Sequence, residues 1–435
     1  MKSNLFFVLI TTLTISCSNP QGKLDQSDLN YANRQLLEVS MEDGFSPPVA
    51  SRVLVYSHIS NYITLQLFYP DSLIPIQNHL NDFKFTAPEI PKDANAELSA
   101  LMAFGFTAKK LVFNEQYMDD LLTKLNSFAL EKNFSKTCIE ASRTLAKNIS
   151  DQIIQWAAKD QYAQTRTMDR YTSVKEPGKW IETPPDYTPG LEPHWEKIRT
   201  MLIDSPGVYK GLNPPAFDKN KDSEFYKMVL EVYTKSKSLT KEENEIAIYW
   251  DDNPNTSEHK GHLTIMTHKI SPPGHWTNII AQISNTNKLS FINTTRVYTY
   301  ACIAMFDGII DCWHTKYSSN LVRPITYIQE NIESDWECVI QTPPFPEYTS
   351  GHSVVSAAAA EIMTQLLGDQ YSFLDSTEVL FGHEARSFNS FHEAAWEVSL
   401  SRFYGGIHYM ISVEEGNKQG KFIATQALKK LNYVQ

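Results

Sequence analysis

The 435-residue chain lacks several features, and each absence removes a class of function. Beyond the first sixteen residues, no apolar stretch approaches the roughly 18–20 residues needed to cross a bilayer. No Lys/Arg-rich run appears, and the formal charge of -11 argues against a polyanion partner, so nucleic acid is excluded as a ligand. Only five cysteines occur, none in a CxxC or Cys/His spacing, so no cysteine-based metal site is indicated. Alternating strand-like runs are scarce, and there is no internal repeat or low-complexity segment.

What is present begins with an export-like leader. Lys2 precedes the apolar run Leu5 to Ile15 and small polar residues, so residues 1–16 read as a signal peptide. Cys17 follows Leu13-Thr14-Ile15-Ser16 in a loose lipoprotein box, and residues 17–28 read as a polar tether. The expected location is periplasmic, or the outer membrane or cell surface through lipid on Cys17; ordinary cleavage to a free product is the alternative. In an oxidising compartment the other four cysteines, Cys138, Cys302, Cys312 and Cys338, allow three pairings that spacing does not distinguish.

From residue 29 onward helical periodicity dominates. Leu145, Ile149, Ile153 and Trp156 share one helix face, flanked by Lys147, Asp151 and Gln155. Similar patterns cover Ala96 to Val112, Ser223 to Lys237 and Thr294 to Trp313, so the fold class is all-α. Lys175 to Pro215 differs: eight prolines interleave with Trp180, Tyr187 and Trp195, which predicts a long ordered loop that covers something. Ser271-Pro272-Pro273-Gly274-His275-Trp276 reads as a turn, with a helix starting at Thr277.

Three clusters in the last third carry chemistry. The first is Lys316 to Arg323-Pro324, in which a compact ammonium and a planar guanidinium suit the edges of an oxyanion. The second is Tyr348-Thr349-Ser350-Gly351-His352 before an apolar helix at Ser353 to Leu367; a Ser-Gly helix start offers amides, a hydroxyl and the positive dipole end to an anion. The third is Ser401-Arg402 through Gly405-Gly406 to His408, where the glycines end a helix from Phe391 and let Arg402 and His408 face one pocket. Each alone is ordinary: a surface pair, a cap, a core histidine.

Together, Lys-x6-Arg-Pro, Ser-Gly-His and Ser-Arg-x5-His resemble the signature of the type 2 phosphatidic acid phosphatase and vanadium-dependent haloperoxidase superfamily. Two positions depart from it. Thr349 stands where the family usually has Pro, and Ser412 stands where it usually has an Asp that would orient the last histidine. The resemblance implies two stacked helical bundles in a single domain over 29–435, with the anion-binding core in 294–435. It also implies vanadate as cofactor, with phosphate fitting the same site.

Three features favour the haloperoxidase branch: the absent spanning helices, Trp313 and Phe345 at positions that line the halide pocket, and the Pro-rich aromatic loop. Motif spacing is most similar to marine bacterial iodoperoxidases. The roles implied are His408 as the vanadium ligand, Lys316, Arg323, Arg402, Ser350 and Gly351 as donors to the anion's oxygens, His352 as acid and base, and Lys316 as the group polarising peroxide. The substrates implied are hydrogen peroxide and a halide, iodide foremost and bromide next. The alternatives are an exported acid phosphatase in which His408 becomes a phosphohistidine, and a non-catalytic glycan-capturing surface lipoprotein.

Overall fold

The computed structural model describes residues 22–433 apart from 255 and 261; the expected leader, Cys17 and the beginning of the tether lie outside the described residues. Fourteen helices account for most of the described chain: α1 (Gln26–Glu42), α2 (Pro47–Phe68), α3 (Ala96–Lys109), α4 (Glu115–Glu131), α5 (Lys136–Ala157), α6 (Tyr162–Thr165), α7 (Glu224–Ser236), α8 (Lys241–Tyr249), α9 (Pro272–Thr286), α10 (Phe291–Ser319), α11 (Pro324–Asn331), α12 (Gly351–Leu367), α13 (Phe391–Tyr404) and α14 (Met410–Lys430). Among the described residues, strand is confined to two antiparallel pairs, β1 (Thr256–Lys260) with β2 (Leu263–Thr267), and β3 (Phe373–Asp375) with β4 (Arg386–Phe388). No helix among the described residues is long and apolar enough to cross a membrane.

The helices form two bundles sharing one member. In the first, α2 packs on α3, and α3 also meets α4 and α5. In the second, α12 is surrounded by α10, α13 and α14. The shared member is α10, which at 29 residues runs for about 44 Å and touches both α2 and α12. Its buried residues, Thr294 to Trp313 and then Lys316, explain why the sequence pattern is apolar nearly all round rather than on one stripe. One hydrophobic core runs from Leu29 on α1 to Leu428 on α14.

Close approach of α14 to α12 depends on glycine. A Cβ on Gly420 would stand 2.1 Å from the Val354 carbonyl oxygen, a backbone atom that cannot rotate away. Gly420→Ala is therefore expected to destabilise the protein by about 1–3 kcal/mol through overpacking, read as a lowered midpoint of thermal unfolding; an unchanged midpoint would mean the two helices have room to separate.

Several boundaries differ from expectation for local reasons. The tether read to residue 28 ends sooner, because Asp25 and Asp28 form a capping box that starts α1 at Gln26. The turn read at 271–276 is already the first turn of α9: Pro272 and Pro273 occupy its opening positions, where the missing amide costs nothing. None of the three expected pairings forms. Cys302, Cys312 and Cys338 are free thiols, and each of the three pairings would need a bond between two of them.

The Pro-rich segment is an ordered strap along α10. Amides of Met201, Leu202 and Ile203 donate to the Asp307 carboxylate at 2.6–3.0 Å, and those of Gly207 and Val208 donate to Asp311. Trp180 and Trp195 are fully buried. Closer to the end of α10, the Leu191 carbonyl accepts from Trp313 Nε1 and the Tyr317 hydroxyl.

Candidate active site

Lys316 lies in the last turn of α10, which Asn320 ends in a left-handed conformation. Its ammonium is fully buried and donates to the carbonyls of Pro346 and Glu347, each at 3.0 Å. Arg323 caps α11, also fully buried; Nε donates to the Phe345 carbonyl at 3.0 Å and Nη1 to that of Ile407 at 2.8 Å. Arg402, near the end of α13, donates Nη1 to the carbonyls of Trp250 and Asp251. All three cations are thus aimed by main-chain oxygens, and among the described residues only Arg402 also has a carboxylate in ion-pair range, that of Asp251 at 3.9 Å.

Burying three cations together is costly, because each loses its water and repels the others. Burial, with Arg323 and Arg402 adding to it, lowers Lys316 to about 7. Burial likewise lowers Arg323 and Arg402 to about 10. Two of their donors, Arg323 Nη2 and Arg402 Nε, are buried without a partner among the described residues. An oxyanion would satisfy both the excess charge and the unmet donors.

His408 follows the Gly405-Gly406 turn, with Gly406 at φ +78, as the glycine pair predicts. Its Nδ1 faces Glu347 Oε1 at 2.8 Å and its Nε2 faces Arg323 Nη1 at 3.1 Å. A guanidinium can only donate, so Nδ1 carries the proton and Nε2 presents a lone pair. Burial, then the charges of Arg323 and Lys316, hold the ring's pKa well below its usual value, so the imidazole is neutral.

Glu347 is the residue that sequence reasoning missed. Ser412 does not orient the imidazole; its hydroxyl donates to Glu347 Oε2 at 2.5 Å, while the Tyr409 amide and His408 share Oε1. Burial pushes the Glu347 carboxyl above its usual range, and Arg323 with the bonds from Ser412 and the Tyr409 amide offsets this only in part. The carboxylate the family usually places at position 412 has moved across the pocket, five residues before His352. The one available signal was the serine itself, which left the ring without its expected partner. Glu347→Gln is expected to weaken vanadate binding by about 10–100-fold, the usual loss for an outer partner of a metal ligand, measured by equilibrium dialysis; unchanged affinity would make Glu347 structural only.

Ser350 caps α12, accepting from the amide of Ser353 and from its hydroxyl, so the Ser350 proton remains available to an anion. Gly351 is the first residue of α12; a Cβ there would stand 3.6 Å from the Trp313 ring and 3.9 Å from Lys316 Cε. His352 Nε2 meets the Asp251 carbonyl at 3.2 Å, an oxygen it shares with Arg402. Nε2 is therefore the protonated nitrogen and Nδ1 the basic one. Burial and Arg402 keep His352 neutral as well.

A cavity of about 380 Å³ reaches this cluster, ending on Phe345, His352 and Arg402 and roofed by Asp186, Thr188 and Leu191 of the strap. Phe345 forms its aromatic wall, with Lys316 and Arg323 held over the ring at 4.9 and 5.2 Å. Trp313 stands behind that wall, 5.1 Å from Phe345 between ring centroids, and is not part of the cavity lining. All seven anion-site residues expected from sequence converge here, but the carbonyls of Trp250 and Asp251 that hold Arg402 come from outside 294–435.

Comparison with known proteins agrees with this geometry. Residues 296–435 match the VCPO second helical-bundle domain. Among solved structures, a bacterial vanadium-dependent iodoperoxidase is 39% identical, with a TM-score of 0.87 over 94% of this chain and 97% of that one. A holo-type bacterial vanadium-dependent chloroperoxidase shares the fold at 15% identity and a TM-score of 0.65, over 89% of this chain and 94% of that one. No curated protein matches.

Proposed function

This chain belongs to the vanadium-dependent haloperoxidase family, and on that premise we propose that it oxidises iodide with hydrogen peroxide. In the balanced reaction, iodide, hydrogen peroxide and one proton give hypoiodous acid and water. Two electrons pass from iodide to the O–O bond. The observation that carries the reading is His408 Nε2 accepting from buried Arg323, in a pocket where Arg323 and Arg402 each keep a buried donor without a partner among the described residues.

These residues suit vanadate. His408 Nε2 would be the metal's protein ligand, and Lys316, Arg323 and Arg402, with the Ser350 hydroxyl and Gly351 amide, would offset the charge on its oxygens. Vanadate, when bound, supplies a Lewis acid that activates hydrogen peroxide toward halide without a change of oxidation state. Phosphate has the same shape and charge and fits the same donors. His352 Nδ1, at the end of the cavity, takes a proton from incoming hydrogen peroxide and returns it to the leaving water. Lys316, fixed by two carbonyls, draws electron density from a peroxide oxygen. The Phe345 wall excludes water, which favours a large, weakly hydrated halide. Iodide is further supported by the 39% identity to an iodoperoxidase. The leader at 1–16 and lipidation at Cys17 would place the reaction outside the cytoplasmic membrane.

The Glu347–His408 pair also favours a second reading. A carboxylate-oriented imidazole is what a phosphohistidine mechanism needs, and Glu347 supplies that carboxylate although position 412 is Ser. One assay separates the two: triiodide formation from iodide and hydrogen peroxide before and after vanadate is added, with para-nitrophenyl phosphate hydrolysis alongside. Vanadate-dependent iodide turnover and no hydrolysis is the expected result. Ester hydrolysis that vanadate inhibits would transfer the site to phosphoryl transfer.

A further inference from the structure

The Pro-Pro-Gly-His-Trp element, unused by the anion site, delivers a second polar centre. His275 in the first turn of α9 is fully buried, as are the carboxylates around it. Its Nδ1 faces Asp252, at 2.9 and 3.1 Å from the two carboxylate oxygens, and lies 4.0 Å from Glu378 Oε1. Its Nε2 meets Asp375 Oδ2 at 2.8 Å. The roles of the carboxylates differ. Asp375 is saturated by hydrogen bonds from Thr377, from the Tyr249 hydroxyl and from His275, so it has no capacity left for an ion. Glu378, only 2% exposed, has its Oε1 without any hydrogen-bond partner and turned toward the imidazole.

We infer that Asp252, His275 and Glu378 form a binding site for one divalent transition cation of the zinc or manganese class. One nitrogen and two carboxylate oxygens lie within 4.8 Å of one another. Ligand atoms about 2.0–2.2 Å from a single ion stand at most about 4.4 Å apart, so small side-chain rotations close the set. A mixed imidazole and carboxylate set suits zinc or manganese rather than calcium, which prefers oxygen alone. Asp375 then accepts from the ligand's other ring nitrogen, the arrangement that fixes a metal-bound histidine. Charge points the same way. Three carboxylates surround one imidazole away from water, and the nearby Lys269 is already paired with Asp251 at 3.0 Å. An imidazolium paired with Asp252 and Asp375 offsets one of these three charges, and a divalent cation that takes the place of its Nδ1 proton offsets more. Asp252 also lines the 380 Å³ cavity, which provides a route inward.

The test uses the full-length protein, stripped with a chelator and titrated with Co²⁺ in the absence of halide and peroxide, followed by visible absorbance and by metal content after gel filtration. One Co²⁺ per chain is expected, with displacement by Zn²⁺ and a change in the near-ultraviolet circular dichroism of Trp250, which stacks 4.5 Å from His275. Glu378→Gln should weaken binding at least 100-fold, and Asp375→Asn, a positioning residue, by about 10–100-fold. Absence of Co²⁺ binding to the wild type, or equal binding by folded Glu378→Gln and wild type, would overturn the proposal. Because no turnover is read, the result stands apart from the haloperoxidase reading.

Discussion

Replacing His408 by Ala is expected to abolish vanadate-dependent iodide oxidation while leaving the helical fold intact. The ring is 2% exposed and offers an Nε2 lone pair that Arg323 and Arg402, which only donate, cannot replace. Losing a direct ligand should cost more than the roughly 10–100-fold typical of its outer partners, so bound vanadium falls to background by elemental analysis. The fold survives because Arg323 keeps its bonds to the Phe345 and Ile407 carbonyls, and Glu347 keeps those from Ser412 and the Tyr409 amide. Far-ultraviolet circular dichroism and the unfolding midpoint check that part. Iodide oxidation at the wild-type rate in this variant would remove His408 as the anchor.

His352→Ala should separate cofactor binding from turnover. The His352 ring holds none of the three cations; its one hydrogen bond goes to the Asp251 carbonyl, which Arg402 also uses. Vanadium content should therefore stay near wild type, while turnover falls by about 10²- to 10⁴-fold, the usual contribution of a positioned acid and base. The measurement is a paired one, vanadium per chain and iodide turnover on the same sample. Parallel loss of both would show that His352 contributes to binding, and unchanged turnover would show that hydrogen peroxide loses its proton elsewhere.

The parts of this architecture that could be read from residues are those where identity and spacing coincide. Lys316, Arg323, Ser350-Gly351-His352, Arg402 and His408 are individually ambiguous, but their order and intervals specify a pocket, and the structure brings them together. Helix positions on α5 and α7 were legible because apolar periodicity survives there, while α3 and α10, buried nearly all round, show a long apolar stretch instead. What was not legible is of two kinds. Main-chain partners leave no trace in residue identity, so the carbonyls of Trp250, Asp251, Phe345 and Pro346 that hold the cations could not be named in advance. Long-range substitutions are equally silent: a carboxylate on the loop before α12 takes over a role expected on α14, and only folding places Glu347 beside Ser412. Trp313 shows a third limit, since sequence position gave its neighbourhood but not which face of Phe345 it would occupy.

Because carbonyls fix Lys316, Arg323 and Arg402, the fold itself sets the shape and charge of the pocket. A pocket whose shape and charge are set in advance selects by tetrahedral geometry and negative charge, and it does not rearrange to prefer vanadium over phosphorus. Occupancy then follows the relative supply of two rival anions. Added phosphate is therefore expected to lower vanadate occupancy in proportion to its concentration, read by equilibrium dialysis.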